Sequence, residues 1–380
     1  MIKKKNKIIF ITSSPFSINA FIKNHLINLA ESFEIVLIVN KDLDNLSNEL
    51  IKKIRVINVK LKREINIYYD FINFFKLMFL FVKEKPDIVF SMTSKIGFVS
   101  MILGFCINIP VRVHIFTGFI WYNKIFILRF FFKLIDKIIC RFATNILVDS
   151  KGQVRLLNKE ISNDKNITLL GNGSISGVDT KRFIPHERLY SKERKKIKKQ
   201  NLFVYLYVGR ITNEKGVPFL IDIFKDLYKE LHNIELWIVG PDEEHIMRDY
   251  FSNQTNKFIK YYGKSSTPEL YMAKSDILVL PSQREGFGNV IIEAASCALP
   301  TIAYNIDGPK EIIKNNITGY LVKKYSKSLF KSKMSEVYFN KQEIKKIGLN
   351  ARNNTIKLYD RMLVEKAWVN YFQKLKIKSS

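Results

Sequence analysis

Apolar residues along this chain fall into two series of short runs, each followed by helical spacing. The first series is KIIFIT (7–12), a helical pattern over 18–31, EIVLIV (34–39), RVINV (55–59), the long IYYDFINFFKLMFLFVKEK, and DIVFSM (87–92). The second restarts at LFVYLYVG (202–209) and continues through ELWIVG (235–240), KFIKYYG (257–263), DILVLPS (276–282), PTIAY (300–304) and GYLV (319–322). Unbroken apolar strands alternating with helices predict βαβ units and parallel sheets, because crossover helices cover both sheet faces and leave the strands no polar side. Between the series, HERLYSKERKKIKKQN (186–201) is almost devoid of apolar residues and reads as a linker. The predicted fold class is therefore α/β: two Rossmann-like, doubly wound parallel-sheet domains over 1–185 and 202–354. Facing each other, they would take a ligand in the crevice at the carboxyl ends of their strands. Apolar residues at 356, 359, 363, 364, 367, 368, 371, 372 and 375 predict one amphipathic helix within 355–380, closing back on the first domain with Trp368 and Tyr371 in its core.

Composition agrees and adds a charge question. At 380 residues and 47% hydrophobic, the chain exceeds one ordinary core. Its formal charge is +27, with 35 Lys and Arg against 16 Asp and Glu in residues 1–200 (+19) and 27 against 19 in the remainder (+8). The first half should meet the anionic partner, whether nucleic acid, an anionic membrane face or a phosphorylated ligand. Three cysteines with no ligand spacing point to buried thiols in a reducing compartment, consistent with a cytoplasmic location. The N-terminal apolar run is too short for a secretory signal, and IGFVSMILGFCINIPV (96–111) falls short of the roughly 20 residues a bilayer span needs.

The densest chemistry lies in SQREGFGNVIIEAASCALP (282–300). A strand ends at Ser282, two glycines form a turn, and a helix begins near Asn289, read as its N-cap. Glu285 precedes that helix and Glu293 lies on it. Eight helical residues rise about 12 Å, so these carboxylates cannot share a proton or a metal; they grip two places on one ligand. Between them, Gly286 and Gly288 bare backbone N–H groups at the positive end of a helix, a seat for phosphate oxygens. Carboxylates accept from sugar hydroxyls, so the outline is hydroxyls at both ends with phosphates between: a nucleotide sugar. Arg210 and Lys215, in VGRITNEKGVPFL (208–220), can offset the charge that builds on a departing diphosphate.

These stretches together resemble the family 4 glycosyltransferases, the glycogen-synthase-like group of GT-B fold, through GR(x4)KG at 209–216, PS(x2)EGFG at 281–288, the Glu285/Glu293 pair and GPKEII at 308–313. RVHIFTGFIW (112–121), ATNILVDS (143–150) and LLGNGSISGVDTKRF (169–183) look like bacterial members that build O-antigen or capsule on polyprenyl diphosphate. The resemblance implies metal-independent transfer, with retention, of a sugar such as an N-acetylhexosamine from a UDP donor to a polyprenyl-diphosphate-linked saccharide. It also implies that Arg210 and Lys215 hold the donor diphosphate, Glu293 the ribose hydroxyls, and Glu285 the transferred sugar, assisted by Gly286, Phe287, Gly288, Asn289 and Val290, with Tyr262 and Gly263 beside the nucleobase. The leaving phosphate would serve as the base.

Two stretches depart from the family pattern. The first loop is TSSPFS (12–17) where many relatives are Gly-rich; Ser13 and Ser14 either donate to the donor or shape a turn. Many relatives place His before the glycine near 118; here Thr117 precedes Gly118 on the acceptor side, and His114 is either a catalytic contact or a core histidine. The Asp42-Leu43-Asp44 triplet has the letters of a Mg²⁺ or Mn²⁺ site but no partner acid, so no metal or other cofactor is expected.

Segments 68–85 and 123–143 mix Phe, Leu and Ile with Lys and Arg, a composition suited to lying on the anionic inner face of the plasma membrane, or to packing on the sheet. A sugar-nucleotide epimerase of the same scaffold is the nearest alternative, lacking an evident acid/base constellation. A basic nucleic-acid-binding protein would explain the charge but not the glutamates, and no nucleic-acid partner is expected.

Overall fold

The computed structural model describes residues 5–13, 18–40, 46–61, 66–123, 125–161, 167–185, 202–253 and 257–376. Ser14, Asp42, Asp44 and the linker at 186–201 lie outside the described residues. The chain forms two compact units, 1–176 with 362–380, and 177–361.

The first unit holds a seven-stranded sheet of order β3-β2-β1-β4-β5-β6-β7, parallel throughout. Its strands are β1 (Lys7–Thr12), β2 (Glu34–Val39), β3 (Arg55–Asn58), β4 (Ile88–Ser91), β5 (Val111–Phe116), β6 (Asn145–Val148) and β7 (Ile167–Leu169). The helices are α1 (Lys23–Leu29), α2 (Asn48–Lys53), α3 (Ile67–Glu84), α4 (Ser94–Cys106), α5 (Phe126–Phe142) and α6 (Lys151–Glu160).

Alternate residues of β1 serve opposite faces, as the strand period requires. Ile8 and Phe10 join α1 in one core, whereas Ile9 and Ile11 join Phe81 of α3, Met101 of α4 and Ile139 of α5 in another. Every apolar position of the strand therefore has a burial partner, which is why it reads as a run rather than an alternation. Cys106, expected to be buried, is exposed at the end of α4.

The second unit has six parallel strands in the order β10-β9-β8-β11-β12-β13. They are β8 (Phe203–Val208), β9 (Ile234–Val239), β10 (Ile259–Tyr261), β11 (Ile277–Leu280), β12 (Thr301–Tyr304) and β13 (Tyr320–Val322). Around them lie α7 (Val217–Tyr228), α8 (Ile246–Asn253), α9 (Pro268–Lys274), α10 (Asn289–Ser296), α11 (Pro309–Ile312), α12 (Lys327–Phe339) and α13 (Lys341–Tyr359).

Two boundaries differ from the expectation. Residues 177–185 belong to the second unit, not the first: Val178 exchanges backbone hydrogen bonds with Tyr359 and Arg361, each at 2.9 Å, and the Phe183 carbonyl accepts from Ser296 Oγ at 2.7 Å. The closing segment is not one helix. It breaks at Asp360, whose backbone is extended and whose carboxylate accepts from Thr180 Oγ1 at 2.5 Å. Before the break, Tyr359 is buried in the second unit; after it, α14 (Arg361–Lys374) carries Val364, Trp368 and Phe372 into the core of the first. The apolar stripe legible at 355–376 thus serves two cores. No described helix is long and apolar enough to cross a membrane.

Candidate functional site

In the second sheet β8 lies beside β11, and the connections that leave them run to opposite edges, β8 toward β9 and β11 toward β12. That reversal of strand order is where open α/β sheets bind ligands, beyond the carboxyl ends of the strands. The two loops emerging there are 209–216 and 281–288, and they are stitched together. Gln283 N donates to Glu214 O at 2.9 Å, and Arg284 Nε pairs with Glu214 Oε1 at 2.7 Å. Burial pushes Glu214 up, but the Arg284 guanidinium, together with the charges of Lys215 and Arg210, outweighs it and holds the carboxyl below its ordinary value. Gly216 adopts φ +74°, and a Cβ there would lie 2.3 Å from the Pro281 carbonyl oxygen. Any other residue would push the loops apart.

That approach brings Lys215 Nζ to 2.7 Å from Glu285 Oε1, with both side chains mostly buried. Read from sequence, these residues had separate tasks; here they form one pair at the switch point. Arg210, by contrast, reaches outward and pairs with Glu243 at 3.0 Å, while its own carbonyl accepts from Tyr207 Oη at 2.7 Å. Burial, then the Glu285 charge, raises the Tyr207 phenol well above its ordinary value, so it stays a neutral donor.

The helix after the glycine turn starts one residue earlier than expected. Gly288, at φ +98°, is the N-cap of α10, and Asn289 is its first helical residue. The cap has no side-chain hydrogen bond, and glycine adopts its left-handed backbone without a Cβ clash. Phe287 anchors the turn, buried with its ring 5.3 Å from that of Tyr359, and Val290 is half-buried. Gly308 lies under the turn: a Cβ there would meet the Phe287 carbonyl at 2.8 Å and Glu285 Cβ at 3.2 Å. GPKEII is therefore the floor on which Glu285 and Gly286 rest.

Glu293 lies on the second turn of α10 in a different environment from Glu285. Burial raises its carboxyl to about 7, opposed by the charge of Arg182 and reinforced by that of Glu269. Neither Arg182 nor Glu269 is marked by the sequence alone, since nothing local to either points to the glycine turn. Tyr262 is partly exposed, its ring 4.9 Å from Tyr271 and 5.5 Å from Trp237, and Gly263 at φ +67° faces open space.

In the first unit, Ser13 is buried at the end of β1, and Thr117 is exposed after β5, next to Gly118 at φ +137° with open space beside it. His114 requires correction as a catalytic candidate. It points into the core from β5, its Nδ1 2.8 Å from Ser91 Oγ, and Gly97 leaves the room its ring occupies, since a Cβ there would sit 2.4 Å from Cε1. Burial lowers the imidazole to about 3, so it is a neutral structural histidine. Among the described residues, no group of three His, Cys, Asp or Glu could hold a metal ion.

Residues 190–354 match the family model described as glycosyl transferases group 1. A capsular polysaccharide biosynthesis glycosyltransferase, CapM, of Staphylococcus aureus is 29% identical over 329 residues, 85% of each chain. A UDP-Gal:alpha-D-GlcNAc-diphosphoundecaprenol alpha-1,3-galactosyltransferase of Escherichia coli is 29% identical over 304 residues, 77% of this chain and 76% of that protein. Sucrose-phosphate synthase from Thermosynechococcus elongatus superposes with a TM-score of 0.80 at 17% identity, covering 97% of this chain and 99% of that one. Anabaena HepE in complex with UDP and glucose does so at 0.79 and 18%, covering 97% and 100%. At such identities the structural likeness is one of fold. The strand orders, the paired loops at the second unit's switch point and these likenesses agree: the chain has the GT-B fold, and its residues 190–354 carry the pattern of the group 1 glycosyl transferases.

Proposed function

We propose that this chain transfers a hexosyl or N-acetylhexosaminyl group from a UDP-sugar to a polyprenyl-diphosphate-linked saccharide in the assembly of a bacterial surface polysaccharide, with retention and without a metal. The observation that carries the reading is the Lys215–Glu285 pair at 2.7 Å, set beside the bare Gly286–Gly288 backbone at the start of α10. A cation, a carboxylate and open N–H groups converge there, the set that a sugar diphosphate asks for. The names of the S. aureus and E. coli relatives support the pathway and the acceptor class.

In this reading Lys215, with Arg210 swinging from Glu243, neutralises the diphosphate as the bond between C1 and its oxygen breaks. Glu285 accepts from hydroxyls of the transferred sugar, and Glu293 accepts from the ribose, with Tyr262 and Gly263 beside the base. The first unit takes the acceptor near Thr117 and Gly118. The acceptor oxygen bonds to C1 on the face the diphosphate leaves, and its proton passes to the departing phosphate oxygen, so the step balances without a metal.

The membrane surface enters through the first unit. Phe71, Phe75 and Phe79 of α3 and Phe126, Ile127, Phe130 and Phe131 of α5 are exposed, and Lys76, Lys83, Lys137 and Arg141 lie exposed along the same helices. Such a face suits an anionic leaflet carrying a lipid-linked acceptor.

The test is a screen of UDP-galactose, UDP-glucose and their N-acetylated forms against an undecaprenyl-diphosphate sugar, in EDTA, read by mass spectrometry. A glycosylated lipid with its α-anomeric configuration kept is expected. Strict Mg²⁺ dependence, an inverted linkage, or conversion of the donor to its epimer without acceptor would each overturn the corresponding part.

A further inference from the structure

Arg182 lies outside the stretches assigned to the donor, yet it ties three of their supports together. Its guanidinium donates from Nη2 to the Ser266 carbonyl at 2.6 Å and to Glu269 Oε2 at 2.8 Å. The first bond holds the loop between β10 and α9, which begins at Tyr262, and the second holds the first turn of α9. The charge of the same guanidinium acts on Glu293 of α10, holding its carboxyl lower than burial alone would. Its backbone is fixed to that helix as well, because the next residue's carbonyl, Phe183 O, accepts from Ser296 Oγ at 2.7 Å and from Arg352 Nη1 at 3.3 Å. Ser296 is three residues beyond Glu293 and so shares its helix face.

Resting on the donor site proposed above, we infer that Arg182 is a positioning residue for the nucleotide, fixing Glu293 and the Tyr262–Ser266 loop in one arrangement for the ribose and its base. A carboxylate can accept from both ribose hydroxyls, whereas the protonated acid must spend one oxygen as a donor. Arg182 therefore acts through Glu293: its charge favours the accepting form, and its fork holds the loop at the distance the base requires. Glu269 has a double part, as the partner that aims Arg182 and as a like charge that raises the Glu293 carboxyl. The elements packed against α10 also carry Arg352, which donates to the Ser296 carbonyl, with Lys341, Glu343, Lys345, Lys346, Lys357 and Tyr359 on α13, Tyr271 and Lys274 on α9, Lys310 and Glu311 on α11, and Tyr304 on β12. Cys297 adjoins on the chain just after α10, its thiol pushed up by burial.

The test measures calorimetric affinity for whichever of UDP-glucose, UDP-galactose and UDP-N-acetylglucosamine binds most tightly, from pH 5.5 to 8.5. These donors carry no phosphate that titrates in that range, so the profile reports the protein. Wild-type affinity is expected to rise with pH through about 7. Arg182→Met should weaken binding about tenfold at pH 7.5 and move the midpoint to higher pH, since the cation that favours the carboxylate is gone. Glu269→Gln should move the midpoint the other way. Arg182→Lys should restore the midpoint without the full affinity, because an ammonium cannot reproduce the forked contact. In turnover, Arg182→Met should raise the donor KM with kcat unchanged within about twofold.

A wild-type affinity and midpoint in Arg182→Met would overturn the inference while leaving the donor site standing. If Arg182→Met does not fold, Glu269→Gln carries the test, and an unmoved midpoint there is equally fatal. Failure of the wild type to bind any of the three UDP-sugars would overturn the donor site and the inference with it.

Discussion

Lys215 Nζ lies 2.7 Å from Glu285 Oε1 across 70 residues of sequence, each side chain mostly withdrawn from water. Neither residue could be kept there alone, since an unpaired buried charge is expensive. The pair holds a cation in reserve beside the glycine turn, to be shared with a diphosphate when one arrives.

Removing either partner should therefore show in turnover. Glu285→Ala is expected to lower kcat by about 10² to 10³, with a smaller change in donor affinity, and Lys215→Ala to raise the donor KM as well. The double variant should lose less than the sum of the two, because each single change strands the other's charge. Steady-state kinetics on the four variants checks this; strict additivity would mean that the pair does not act as a unit.

Glycine at 216 is held by space as well as by conformation. Gly216→Ala places a methyl 2.3 Å from the Pro281 carbonyl at φ +74°, whereas Gly263→Ala meets φ +67° with nothing nearby. The first should cost more stability than the second, with about 1–3 kcal/mol from each backbone alone and the steric clash adding only at 216. Thermal melting of both variants, compared with activity, tests it. Only Gly216→Ala should also lose turnover, as Lys215 moves with its loop.

Glu293 trades stability for binding. Its carboxyl titrates near 7 in the folded chain against an ordinary 4.5, so between those values the folded state holds more protons than the unfolded. Stability from this group is present below about 4.5 and is lost as pH rises through 7. Glu293→Gln should melt higher than wild type at pH 8 and close to it at pH 5, while binding UDP more weakly. Equal melting temperatures at pH 8 would show that the carboxyl is not held in its neutral form.

The aromatic face of the first unit should be measurable apart from catalysis. Phe126 and Phe130 are 85% and 68% exposed. Changing Phe126, Phe130 and Phe131 to Ser should reduce sedimentation with phosphatidylglycerol vesicles, and salt should weaken wild-type binding to them, each nearby base contributing about 1 kcal/mol. Wild-type binding to neutral phosphatidylcholine vesicles should be weak. Full vesicle binding by the triple variant would exclude this helix from the contact.

The long, evenly buried strands were legible because burial on both sheet faces leaves an apolar run that needs no partner to be seen. β5, β6 and β7 were not read as strands. Arg112 and His114 interrupt the apolar run of the first. His114 shows the same limit: whether an imidazole faces a ligand or Ser91 depends on which strand lies beside it.

What the chain determined by itself was its class: the alternation of strands and helices, the glycine turn, and the spacing of Glu285 from Glu293. All of these are local, set by side-chain period and backbone freedom within a few residues. Tertiary structure decided which loops meet. The reversal of strand order between β8 and β11 joins Lys215 to Glu285, and the break at Asp360 divides one apolar stripe between two cores. The return of 177–185 to the second unit sets Arg182 against Glu269 and brings its charge to bear on Glu293. Such pairings depend on sheet order and close packing across long stretches of chain, and no local period encodes them.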